Sequence, residues 1–484
     1  MRSRAFKLLV FIVFSFYKSD GQNRVFGLIS VESENFSTED VFIYDGNSKF
    51  LTSPDKNGYY EFETDKATIK IVYLLVGSQF VEREVDLRED NEVNVSFKRK
   101  TEVLSEVIIK GQKIREFQLQ RLKDVEGTSI YAGKKTEVIL VEQSMANLAS
   151  NNARQIYNQI SGLNIYQNDD AGIQLHIGGR GLDPNRTSNF NTRQNSYDIS
   201  ADVLGYPESY YTPPAEAIRE IQIIRGAASL QYGTQFGGLI NFVLKEPPVE
   251  KIEMITRNTV GSNNLYTNFT SIGGKRKNFS FYTFYNYKRG NGFRANSKCQ
   301  SNNFYIKLAQ KISSKTDVSG EITYMTYLAK QAGGLSDRMF FEDPLQSNRA
   351  RNWFELDWLL YNVKLNHKFN EDASLSLNFF GLDAQRNTIG FRTNRVDQVD
   401  SFSERDLIKG NFNNHGLEVK LLNKYSLWEK KGTFVIGGKY YRSKSTSNQG
   451  PGSDSDDANF NFYLDKFPNY TNQSNYVYPC LLYT

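Results

Sequence analysis

Segments of about ten residues in which apolar or aromatic side chains alternate with polar ones recur through the second half of this chain. Asn278–Tyr287, Asp317–Tyr327, Tyr361–Phe369 and Ala373–Phe380 all follow this pattern. A period of two sends successive side chains to opposite faces of a strand. Strands of that length separated by turns are the signature of a transmembrane β-barrel, with lipid on one face and a polar lumen on the other. The 29 Tyr and 34 Phe supply material for lipid contact and interfacial girdles. A mean hydropathy of −0.53 excludes a bundle of membrane helices. Beyond residue 20 no apolar run approaches the roughly 18 residues that a spanning helix needs. Lys315–Asp317 reads as a short turn, and residues 329–358 and 443–472 as long polar loops.

The N-terminus carries a second message. Arg2, Arg4 and Lys7 precede the apolar run Leu8–Tyr17, the arrangement of a secretory signal, with cleavage expected between Ser19 and Gln22. The mature protein is therefore expected outside the cytoplasm. Residues 22–98 read as a small β domain: Val25–Val31, Glu39–Tyr44, Ile69–Tyr73 and Glu92–Phe97 are β-rich, and Asn57-Gly58 is a hairpin-type turn before an aromatic strand. The spacing Thr52, Asp55, Gly58, Tyr60, Phe62 resembles the core of the carboxypeptidase-regulatory-like β-sandwich. That resemblance implies a structural accessory without activity of its own.

Residues 99–115 change character, and Thr101–Gly111 is a short β-prone run among charged neighbours. Read from the residues alone, it is either one more edge strand or a segment that adds to another protein's sheet. Leu104–Gly111 resembles a TonB box, which makes Glu106, Val107, Ile108 and Ile109 the expected contact for the TonB energy-coupling protein. In residues 116–248, Ala149–Ile160 reads as a short amphipathic helix, with Asn151 or Asn152 as its cap and Ile156 and Ile160 on one face. Ser161-Gly-Leu163, the Gly-rich Ile177–Gly181 and the run Ile223–Asn241 follow in order. Together they resemble the plug domain of TonB-dependent receptors. The resemblance implies that plug arginines, here Arg180 and Arg225, pair with acids of the barrel wall and gate the pore. Asn185–Asp202, Gly205–Glu216, Leu335–Pro344 and Asn348–Trp353 resemble the ferric dicitrate receptors of that family.

The expected architecture is mainly β: a small β-sandwich, an α+β plug, and a partial antiparallel transmembrane barrel over residues 249–484. A plugged transporter barrel has about 22 strands, whereas this stretch holds about nine or ten. An open sheet leaves unpaired backbone in lipid, so the chain is expected to be a truncated product.

The expected function is import of a ferric chelate across the outer membrane of a Gram-negative bacterium by a monomer working with TonB. A ferric citrate complex is anionic, and Arg and Gln side chains suit it. Arg186, Arg193 and Gln194 in the plug and Arg338, Arg349 and Arg351 in a barrel loop are the candidates. The iron stays wrapped in its chelator, so no cofactor or protein metal ligand is expected. Cys299 and Cys480 lie far apart, as do His176, His367 and His415. No nucleophile or acid/base pair stands out, so an enzyme is not expected. The net charge of +5 has no Lys/Arg clustering, which gives nucleic-acid binding no support. Alternatives are an importer of oligosaccharides or peptides, for which Trp353 and Trp358 would be stacking platforms, and a non-transporting β-rich surface protein.

Overall fold

The computed structural model describes residues 23–31, 37–75, 79–88, 91–97, 120–132, 135–167, 171–203, 206–226, 231–233, 236–247, 252–428, 430–463 and 470–483. The signal segment and Glu106, Val107, Ile108 and Ile109 lie outside the described residues. The chain divides into two units, residues 1–115 and 116–484.

In the first unit the strands are β1 (Asn23–Val31), β2 (Val41–Asp45), β3 (Phe50–Thr52), β4 (Tyr59–Thr64), β5 (Thr68–Leu75), β6 (Gln79–Asp86) and β7 (Val95–Phe97). They form two sheets, ordered β4-β1-β7 and β3-β2-β5-β6. Alternate residues of β4 and β5 are buried, and Tyr60, Ile69, Ile71 and Tyr73 share one core with Val25, Val41 and Ile43. The buried hydroxyls of Tyr60 and Tyr73 satisfy each other at 2.6 Å. The expected turn forms, with Gly58 at φ +82 and Asp55 Oδ1 accepting from the N–H groups of Asn57 and Tyr59. It is not a hairpin: β3 pairs with β2 and β4 with β1, so the turn crosses between sheets. Alternation shows which side chains face inward, but it leaves open which strand lies alongside.

The second unit begins with β8 (Val125–Glu126), β9 (Ser129–Ile130), β10 (Lys135–Leu140), α1 (Ala153–Tyr157), β11 (Leu163–Tyr166), β12 (His176–Gly179), β13 (Phe190–Gln194), β14 (Tyr197–Asp198), β15 (Ile218–Arg225) and β16 (Gly238–Leu244). Five of these strands make a mixed sheet ordered β10-β15-β16-β13-β14. Helix α1 is shorter than expected. The Asn152 side chain caps it by accepting from Gln155 N–H at 3.1 Å, and Ile156 and Ile160 are both buried.

Around this sheet runs a ten-stranded antiparallel meander: β17 (Glu253–Gly261), β18 (Leu265–Arg276), β19 (Phe279–Gly290), β20 (Cys299–Lys311), β21 (Thr316–Lys330), β22 (Trp353–Lys368), β23 (Ala373–Gly390), β24 (Arg405–Leu427), β25 (Lys430–Gly452) and β26 (Tyr470–Tyr483). Helix α2 (Asp337–Glu342) lies between β21 and β22. Among the described residues, β17 and β26 are the two edges of the sheet. Connections at one end are short (277–278, 312–315, 369–372); at the other, the first is short (262–264) and those that follow are longer (291–298, 331–352, 391–404). The expected polar loops are smaller than read from the sequence, because β22 already starts at Trp353 and β25 continues to Gly452.

The outer face of this wall carries an apolar band. On β24 it runs from Leu417 to Leu427, with Tyr425 exposed between them. Ten residues at about 3.3 Å each, tilted by about 40°, give a height of roughly 25 Å, the thickness expected of a lipid-facing band. Phe304, Tyr324, Phe379 and Tyr440 are exposed on neighbouring strands, and Phe304 pairs with Tyr324 and Leu417 with both Phe379 and Tyr440. The inner face is polar or packs on the plug: Tyr210 meets Phe354 and Trp358, Tyr197 meets Phe380, and Tyr206 stacks on Phe412.

Candidate functional site: a charged latch and a cationic cavity

Strand β13 is buried at every position and pairs in parallel with β16. A tight turn with Asn195 and Ser196 at positive φ returns the chain into β14, so that Arg193 faces Asp198. On the wall, Glu418 of β24 faces Lys439 of β25. These two cross-strand pairs meet and form a four-charge latch. Arg193 grips Glu418 with two parallel bonds, Nη2 to Oε1 at 2.7 Å and Nη1 to Oε2 at 3.2 Å, and lies 3.1 Å from Asp198. Lys439 contacts Asp198 and stands 3.5 Å from Glu418. The remaining guanidinium donors reach Asn191 Oδ1 and the carbonyls of Ser196 and Tyr232. Burial disfavours a charged Arg193, but Asp198 and Glu418 outweigh it and push its pKa above the usual value. The charges therefore alternate and cancel, as buried charges must.

Next to the latch, Gln194 Nε2 donates to Thr323 Oγ1 at 3.0 Å, and Asn195 Nδ2 donates to Glu321 Oε2 at 2.7 Å. Farther along, Ser443 Oγ donates to Asp202 at 2.9 Å and Asn414 Nδ2 to the Ala201 carbonyl at 2.9 Å. Side-chain bonds to neighbouring wall strands thus seat the plug.

At the long-loop end lies a cavity of about 510 Å³. Its floor is plug and its side is wall and loop. Three cationic side chains line it, Arg186, Arg294 and Lys330, with no carboxylate among the lining residues. Arg294 donates to the carbonyls of Gly333 and Gln346, and Lys330 donates to that of Ala350 while lying 5.2 Å from the Trp353 ring. Arg186 Nη1 donates to Glu208 at 2.7 Å and to Tyr210 at 2.8 Å. His176 Nδ1 accepts from the Arg186 backbone N–H at 3.0 Å. Burial, reinforced by the Arg186 charge, lowers the His176 pKa to about 4, so the ring is neutral at neutral pH. Among the described residues, no group of three or more His, Cys, Asp or Glu is placed to hold a metal ion.

Of the six residues expected to bind ligand, only Arg186 lines this cavity. Arg193 and Gln194 are buried at the latch. Arg349 donates to the carbonyls of Asn348, Arg395, Val396 and Gln398. Arg351 forms a bidentate pair with Asp400 and reaches the carbonyls of Ser403 and Asp454. Both are staples between loops. Arg338, on α2, is exposed and 4.0 Å from Glu342. The expected pairing of Arg180 and Arg225 with wall acids is corrected: Arg225 pairs with Glu137 inside the plug and with the Ser161 carbonyl, while Arg180 is exposed. Arg193 holds that place instead. Sequence reading missed Glu418, Lys439, Arg294 and Lys330. Their only signal was a charge at an inward position of an alternating strand, or a basic residue at a strand end or in a connecting loop.

Residues 133–239 match the family model described as TonB-dependent Receptor Plug Domain. No curated protein matches the chain. Among solved structures, the unliganded ferric citrate transporter FecA is 17% identical with a TM-score of 0.62, over 73% of this chain and 54% of that one. The ferripyoverdine receptor of the Pseudomonas aeruginosa outer membrane is 11% identical with a TM-score of 0.61, over 84% of this chain and 57% of that one. BauA, the ferric preacinetobactin receptor from Acinetobacter baumannii, is 15% identical with a TM-score of 0.54, over 71% and 54%. The chain spans about half the length of these receptors. The shared feature is the fold: a plug seated against the inner face of a TonB-dependent receptor's β-barrel wall.

Proposed function

We propose that this chain acts as an outer-membrane receptor of the TonB-dependent type that captures an anionic ferric chelate, with ferric citrate the leading candidate. The cavity at the long-loop end carries the proposal. Three cations and no carboxylate line it, and a ligand rich in carboxylates suits such a lining. The chelator supplies the iron's ligands, and the protein recognises the outside of the complex. The apolar band on the wall, roughly 25 Å high, supports an outer-membrane location. In this reading the segment around Glu106–Ile109 is the contact for TonB, and pulling on it unseats the latch.

An oligosaccharide importer would present stacking platforms in the cavity. The two expected platforms are otherwise engaged: Trp358 is fully buried against the plug and Trp353 lies beside Lys330. A peptide with acidic side chains would meet the same cations, and a competition measurement separates it from a chelate. The test is ferric citrate binding by wild type and by Arg294→Gln/Lys330→Gln. Losing charge-assisted contacts worth about 1.5–3 kcal/mol each weakens binding by at least tenfold. Unchanged ferric citrate affinity in that variant, or no binding by wild type, removes the reading.

A further inference from the structure

One carboxylate holds a cation of the outer cavity without lining that cavity itself. Glu208 Oε2 accepts from Arg186 Nη1 at 2.7 Å and from the Tyr210 hydroxyl. The Arg186 and Glu208 side chains are 23% and 19% exposed, so the pair is sheltered but not sealed. The backbone on both sides is fixed. Arg186 and Thr187 are left-handed, at φ +48 and +54, a conformation that persists only where neighbours over-determine it. The Arg186 N–H donates to His176 Nδ1 at 3.0 Å, and the Arg186 carbonyl accepts from the Ser209 N–H at 2.9 Å. The Glu208 carbonyl accepts from the Ala201 N–H at 3.0 Å. Side chains, not backbone, are what can exchange partners here.

The wall offers Glu208 a second partner. Arg386 is on the inward-facing side of β23, in phase with buried Leu382 and Ala384. Its Cζ lies 5.7 Å from the centre of the Tyr210 ring, against 5.0 Å for the Arg186 Cζ. Both guanidinium groups thus pack on the tyrosine whose hydroxyl binds the carboxylate. Arg386 Nε is buried and has no hydrogen-bond partner among the described residues. A buried charged donor without a partner is costly, and a carboxylate satisfies it best. Burial works against an ionised Glu208, but Arg186, the Tyr210 hydroxyl and the Arg386 charge outweigh it and lower its pKa. A cargo carboxylate arriving at Arg186 would make two anions share one cation, an arrangement in which both cannot stay charged at no cost.

We propose that Glu208 is an internal counter-ion that competes with the cargo for Arg186 and passes to Arg386 when an anion enters the outer cavity. The inference rests on the receptor reading above and adds to it the group that the cargo displaces. Glu208 then sets both affinity and selectivity. A neutral ligand has no charge to exchange for the carboxylate, whereas an anionic one does. Apparent affinity falls short of that of an unoccupied arginine by the fraction of molecules in which Glu208 has moved away.

The test is calorimetric binding of ferric citrate to the detergent-solubilised full-length chain. Wild type is compared with Glu208→Gln, Glu208→Asp, Arg386→Gln and Arg386→Gln/Glu208→Gln. Glu208→Gln keeps an acceptor for Arg186 but removes the competing charge, so it should tighten binding about tenfold, the worth of one charge-assisted contact. Glu208→Asp keeps the charge but withdraws it from Arg186, and should tighten binding by less. This second variant decides the sign should Glu208→Gln fail to fold. Arg386→Gln removes the alternative partner and should weaken binding severalfold, a loss that should vanish once Glu208→Gln is present. Weaker or unchanged binding in the folded Glu208 variants overturns the exchange and makes Glu208 a support for Arg186 or a bystander. An Arg386→Gln loss that persists alongside Glu208→Gln also overturns it, because Arg386 would then touch the ligand directly. These outcomes leave the receptor reading standing, since wild type binds in all of them. No binding by wild type removes that reading, and the exchange with it.

Discussion

At the scale of single residues, the latch works because it is a closed set. Arg193 and Asp198 from the plug meet Glu418 and Lys439 from the wall, and any one removal leaves an uncompensated buried charge. Glu418→Gln should therefore weaken plug seating by about 3–5 kcal/mol, read as earlier plug release in urea monitored by proteolysis. Arg193→Gln/Glu418→Gln should cost less than the two single changes added together, since the pair leaves together. His176 gives a pH signature. Its ring is held neutral, with a folded pKa near 4 against an ordinary value of about 6.5. The unfolded chain takes up a proton first, so the contribution is complete above about pH 6.5 and is lost progressively as pH falls towards 4. By linkage the loss reaches roughly 3 kcal/mol. His176→Asn should flatten that part of the stability profile, and an unchanged slope refutes the assignment. Little of this was legible in sequence. Arg193 and Gln194 stood out as polar residues in a plug-like stretch, but Glu418 lies 225 residues away. No periodicity reveals which inward acid of which strand will face a given arginine.

At the scale of elements, the strands were legible and their ends were not. On β25 the outward residues are apolar through Tyr440 and then become Arg442 and Lys444, yet backbone pairing continues to Gly452. A reading based on hydropathy stops where the apolar band stops. The same holds for β22, where outward Glu355 and Asp357 made a paired strand look like loop. These extensions carry the loops outward, and the loop arginines then tie them together. Arg351 joins residues 391–404 to the segment after β25, and Arg405 does so from the start of β24 through the carbonyls of Ser453 and Asp457. Burial works against an ionised Asp400, but the Arg351 bonds and the Phe402 N–H outweigh it and lower its pKa. A lowered carboxylate stabilises above its unfolded pKa, and the contribution is lost as pH falls through the folded value. Protection factors against hydrogen exchange over residues 391–404, taken relative to the intrinsic rate at each pH, should fall in acid below the usual carboxylate range. Asp400→Asn should show that low protection already at neutral pH, and a pH-independent protection factor in wild type counts against the staple. Gly381 shows a different element-level constraint. An added Cβ would sit 2.2 Å from the Tyr361 hydroxyl and 2.7 Å from the Asn414 carbonyl, so the glycine makes room for a tyrosine of the neighbouring strand.

At the scale of the whole molecule, the second unit is a wall with an apolar exterior and an interior matched residue by residue to the plug. The alternation in the sequence implied both faces, because period two cannot produce one without the other. It did not say where along a strand lipid begins and ends, and that boundary is testable on β24 alone. Leu421 faces outward near the middle of the Leu417–Leu427 band, whereas Asn413 faces outward on the same strand beyond it. Arginine at the bilayer midplane costs about 2–4 kcal/mol on a lipid-facing strand, and close to nothing near the interface. Leu421→Arg should therefore lose that amount in urea titrations of folding into phospholipid vesicles, while Asn413→Arg should stay close to wild type. Both substitutions put the same charge on the same strand face, so strand propensity cannot explain a difference between them. Equal losses at the two positions would mean that the band does not sit in lipid, and the barrel-wall interpretation of β17–β26 would fall with it.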